Sequence, residues 1–135
     1  MLPLIRVRDT IDVVCTTDPS VKAKAEDRQI PTWREASKAR HSSDALVITV
    51  RPLSSSEMLR CHGFLLDGRD GQAELTVHAA RAGAIKASGP GIDCQDEDAV
   101  HALIDRLQPG ELAALGGYVL EQSLMVEDDP TNGTG

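Results

Sequence analysis

A core built almost without aromatic rings has few ways to close. Only Trp33, Phe64 and Tyr118 are aromatic among 135 residues, although 41% of the chain is hydrophobic. An aromatic side chain removes about 150–250 Å² from water. Here Leu, Val, Ile and many alanines must do the burying, and alanine contributes little. Such a chain suits a small domain of modest stability, or one whose core a partner completes. Its length suits one domain that buries roughly two thirds of the surface its unfolded form exposes.

Charge narrows the set of partners. The formal net charge is −7, from 21 acidic and 14 basic residues. That balance opposes non-specific nucleic-acid binding, where counterion release rewards Lys and Arg, and opposes an anionic membrane surface. The basic run Arg34, Lys38, Arg40 and His41 reads as a solvated face. No apolar run approaches the ~20 residues that span a bilayer, and Met1–Arg8 lacks the charged start of a signal peptide. The cysteines, Cys15, Cys61 and Cys94, are odd in number and far apart, which argues against a disulfide framework. The expectation is a cytoplasmic protein with neither nucleic acid nor membrane as partner.

Along the chain, Ile5 and Val7, then Ile11, Val13 and Val14, read as two short strands about a turn at Asp9-Thr10. Residues 19–45 are the most polar long stretch. Val21–Arg28 reads as a turn or two of helix, and Thr32 with Glu35 as a capping box for a short helix Trp33–Arg40. With so few apolar groups, this segment is expected to be partly mobile. Leu46–Arg51 is the clearest strand, with Leu46, Ile48 and Val50 on one face.

Ser54 and Glu57 then form a capping box for a helix to about His62. A helix from Gln72 to Ala87 carries Leu75, Ala79, Ala82 and Ile85 on one side, until Ser88-Gly89-Pro90-Gly91 stops it. Asp96 caps the next, whose Val100, Leu103, Ile104 and Leu107 follow the helical period. A last helix, about Glu111–Val126, aligns Leu112, Leu115, Val119 and Ser123. The acidic tail 127–135 reads as disordered. The sum is one α+β domain over 1–126, with short N-terminal antiparallel strands followed by a C-terminal three- to four-helix portion.

Catalytic chemistry finds little footing. Cys61 and His62 are adjacent, so on a helix they point about 100° apart and cannot readily share an ion or a proton. The remaining histidines lack metal-ligand spacing, and Pro90 removes an amide from any phosphate cradle at Gly89–Gly91. Asp93, Asp96, Glu97 and Asp98 read as helix-capping acids rather than a calcium loop. No catalytic residue, metal site or cofactor is expected.

Two features speak for binding. Trp33, isolated in polar sequence, is either a small-core anchor or a binding hot spot. Gly116-Gly117 inside a helix marks a kink or the close approach of another backbone, in this chain or a partner. With the apolar side of the last helix they define a candidate partner-binding set: Trp33, Leu112, Leu115, Gly116 and Val119.

The run Val47-Ile48-Thr49-Val50-Arg51-Pro52-Leu53-Ser54, followed by Glu57-Met58-Leu59, resembles the opening of small tailed-phage and prophage morphogenesis proteins of the tail assembly chaperone type. The layout over roughly 45–128 is similar too, although the Gly-Trp common after that family's alanine-rich helix is missing at Ala87-Ser88-Gly89. The resemblance implies a non-enzymatic protein that shields apolar helices of a tape-measure-type or other tail protein in the host cytoplasm. The alternative is a structural virion component, such as a head–tail connector or tail subunit. Association with further copies of the chain is compatible with both.

Overall fold

The computed structural model describes the backbone of residues 10–65 and 69–134, and side chains at 10–63, 71 and 73–124. The expected first strand, at Ile5 and Val7, lies outside the described residues. The elements are β1 (Ile11–Cys15), β2 (Trp33–Glu35), β3 (Val47–Val50), α1 (Ser55–Leu65), α2 (Arg69–Gly83), β4 (Ala84–Gly89), β5 (Ile92–Cys94), α3 (Glu97–Ile104) and α4 (Pro109–Thr134). The strands form one sheet in the order β2-β1-β3-β4-β5, antiparallel throughout. The class is α+β, as the element pattern implies.

The period of two decides which side chains go inside. Val13 and Cys15 of β1, Ile48 and Val50 of β3, and Ala84 and Ala87 of β4 belong to the main core, where they meet Ala79, Ala80, Val100, Ile104, Leu115 and Val119 from the helices. A register shift at Thr49/Val50 lets Ala84 and Ala87 both enter that core. On the opposite face Val14, Val21 and Ala45 form a second, smaller core with Ala36, Ala39 and Val47.

Two expected helical stretches are strands instead. Trp33–Glu35 pairs with β1 in the register Cys15↔Trp33, Val14↔Arg34 and Val13↔Glu35. The ladder wins because β1 needs a neighbour on this edge and because pairing drops the indole into the core, 4% exposed. In the other stretch, the helix expected to reach Ala87 ends at Gly83, and Ala84–Gly89 pairs with both β3 and β5. Alanine's helix propensity yields here to an exposed ladder on β3 and to the Pro90-Gly91 turn, whose Gly91 takes a φ of +71°.

In the polar segment 19–45, where apolar groups are few, hydrogen bonds make many of the tertiary contacts. Buried Thr16 donates to the Asp27 carbonyl at 2.8 Å and accepts from the Thr32 amide at 3.1 Å. The Asp18 carboxylate accepts from the amides of Ser20 and Leu46, each at 2.9 Å. Lys22 N donates to Arg40 O at 2.8 Å and Ser42 N to Ser20 O at 2.9 Å. Within it, Ala25–Arg28 is a single 3-10 turn.

Helix α4 packs chiefly against α2 and also meets β2. At its start Pro109 occupies the first helical position, where a proline's lack of an N–H costs no helical bond, and the Glu111 carboxylate accepts from Gln108 N at 3.1 Å. The same carboxylate accepts from Thr17 Oγ1 at 2.7 Å, and the Glu111 carbonyl accepts from Trp33 Nε1 at 2.9 Å. Midway, a Cβ on Gly116 would stand 2.0 Å from the Thr76 carbonyl oxygen of α2. The close approach marked by Gly116 is therefore made inside this chain. The backbone helix continues to Thr134, beyond the expected end near Val126.

Candidate functional site

The segment Arg51–Glu57 folds as an interlocked joint between β3 and α1. Arg51 donates from both terminal nitrogens to the Glu57 carboxylate, at 2.9 and 2.8 Å, and from Nη1 to the Pro52 carbonyl at 3.1 Å. Glu57 also accepts from the Ser54 amide at 2.8 Å, while Ser54 Oγ accepts from the Glu57 amide at 3.3 Å. The expected capping box is present, with an arginine clamped onto its acid. Beside it, the Leu53 amide donates to Ser123 Oγ at 2.8 Å, and that hydroxyl donates to Val119 O at 2.7 Å. Ser123 is fully buried with both roles filled.

The electrostatics follow the geometry. Arg51 holds the Glu57 carboxyl well below the ordinary range, at about 2, with the Ser54 amide adding to the effect against the opposing cost of burial. The Arg51 guanidinium is correspondingly held above its ordinary value by its bond to Glu57. Burial, and then the Glu57 charge, push the Cys61 thiol up. A thiol held protonated is a poor nucleophile, and Cys61 is fully buried whereas His62 is exposed.

Next to the joint a cleft of about 650 Å³ opens where β3 ends and β4 begins. Arg51 lines it from the strand end, Glu57 and Arg60 from α1, His78 and Arg81 from α2, and Glu97 and His101 from α3. Arg81 is fixed by Asp105, which accepts from its Nε and twice from Nη2 at 2.8–3.3 Å. His101 Nε2 lies 3.0 Å from the Arg81 carbonyl. A carbonyl can only accept, so that nitrogen carries the proton and closes an open group in the last turn of α2. Sequence reading missed this cleft because its arginines and histidines come from four elements separated by up to fifty positions. No short spacing motif records such a gathering.

The sequence-derived binding residues lie elsewhere, in the chain's own interior. Trp33 is 4% exposed, and Leu115 and Val119 are fully buried. Gly116 is buried against Thr76, and Leu112 is half-buried against the main core. All five take part in the packing of α4 within the chain. Among the described residues three large apolar groups do face solvent: Ile30, Leu59 and Leu124 at 72, 71 and 52%.

Among the described residues no three His, Cys, Asp or Glu side chains converge to hold a metal ion, and no helix is long and apolar enough to cross a membrane. Comparison with protein-family models, curated proteins and solved structures finds no match.

Proposed function

We propose that this chain is a non-enzymatic binding protein of the tail assembly chaperone type, covering the apolar stripe of a helical, tape-measure-type partner in the host cytoplasm. One observation carries the reading: the outward position of Leu59 on an otherwise fully occupied joint. Arg51, Ser54 and Glu57 are hydrogen-bonded to one another, and Leu53 and Met58 are buried at 2 and 6% exposure. Leu59 alone of the resembling residues from Leu53 onward places a large apolar group in solvent. Burying a leucine is worth about 1.5–3 kcal/mol. Presented from a rigid helix start, it suits an amphipathic helix docking through its apolar face.

Leu59→Ser tests this directly. Thermal stability should stay within about 0.5 kcal/mol of the parent, because the site is on the surface. Co-purification with a long helical protein encoded beside this chain should be lost. Retained binding, or the lack of any such neighbouring protein, would contradict the reading. Mass spectrometry of purified particles separates the two roles in phage assembly. A chaperone should be missing from them, whereas a connector or tail subunit would be present in stoichiometric copies.

A further inference from the structure

We infer that the cleft between α1, α2 and α3 binds a small, multiply charged oxyanion, a molecule bearing phosphate or carboxylate groups. The inference does not rest on the helix-binding reading: the two share the Arg51–Glu57 pair, but the cleft does not include Leu59. At about 650 Å³ the cleft falls within the roughly 300–1,000 Å³ typical of small-molecule sites. Its lining runs against the character of the chain. The whole molecule carries −7, yet three arginines and two histidines gather here, against Glu57, Glu97 and the Asp105 that pairs with Arg81.

Two of the arginines are held in place before any ligand arrives. Glu57 grips Arg51 and Asp105 grips Arg81, so neither guanidinium must be immobilised on binding. Asp105 takes Nε and Nη2 of Arg81 and leaves Nη1 as a donor. Arg60 makes no hydrogen bond or ion pair among the described residues and is exposed on α1, free to close on a bound anion. A planar guanidinium with open N–H groups matches the paired oxygens of phosphate and carboxylate. Glu57 is already neutralised by Arg51. Glu97 is the acid that opposes an anion, and it therefore supplies a test in the opposite direction.

Isothermal titration calorimetry with inorganic phosphate and with citrate, at constant ionic strength set by chloride, decides the matter. One of the two should bind one-to-one in the millimolar range or tighter, and the tighter of them identifies the oxyanion class. Arg60→Gln, at an exposed and unpaired position, should weaken binding about tenfold, as loss of one charge-assisted hydrogen bond implies. Glu97→Gln should strengthen it several-fold. Failure of both probes to bind at 10 mM, or equal affinity in the parent and both variants, would overturn the assignment.

Discussion

At position 116 a single methyl group separates a packed molecule from a clash. An alanine Cβ there would stand 2.0 Å from the Thr76 carbonyl oxygen, a rigid backbone atom that cannot turn aside. Gly116→Ala should therefore cost about 3 kcal/mol or more by forcing α2 and α4 apart. The neighbouring Gly117 has nothing within 4 Å of its would-be Cβ. Gly117→Ala should stabilise the chain by about 1 kcal/mol through helix propensity alone. Urea denaturation of the pair reads both signs, and equal effects would mean the helix contact is elsewhere. Glu57 offers a second prediction at this scale. Its folded value of about 2 lies below the ordinary 4.5, so the stability it contributes is complete above pH 4.5 and is lost as pH falls towards 2. Glu57→Gln should lower stability at neutral pH and flatten its decline between those two values. Parallel acid profiles for variant and parent would rule out the Arg51 clamp.

Among the elements, α3 and α4 show how far periodicity reaches. The pattern Val100, Leu103, Ile104, Leu107 located the inner side of α3 and of the turn after it, yet burial is unequal: Val100 and Ile104 are fully buried, while Leu103 and Leu107, the latter beyond the helix end, are partly so. Ile104→Ala should cost about 2–5 kcal/mol and Leu107→Ala distinctly less. A larger loss at Leu107 would show the helix rotated. Ser123→Ala should cost about 1–3 kcal/mol, because the buried Leu53 amide would lose its acceptor.

Local signals were legible wherever a residue acts within its own turn. The capping acids Glu57 and Asp96, the strand 47–50 and the apolar side of α4 all belong to that kind. Signals failed where a distant partner decides. Trp33 and Ala84–Gly89 are strands because β1 and β3 stand beside them, and Glu111 is an anchor because Thr17 and Trp33 reach it from over seventy positions away. The cleft's gathering of arginines and histidines was illegible for the same reason.

For the whole molecule, a shortage of rings is met by economy of placement. The one tryptophan is spent where β2, β1 and the start of α4 converge, and hydrogen bonds hold the polar segment 16–45 over the opposite side of the sheet. Trp33, Leu115 and Val119 belong to the chain's own core, and the contacts proposed with other molecules lie on the outer surface of α1 and in the neighbouring cleft. Because Trp33 is the sole tryptophan, its fluorescence in the isolated chain tests that claim most directly. The account predicts emission clearly to the blue of the urea-unfolded chain, together with poor quenching by iodide. Emission that coincides with the unfolded chain, with full access to the quencher, would contradict it and return Trp33 to the role of an open binding residue.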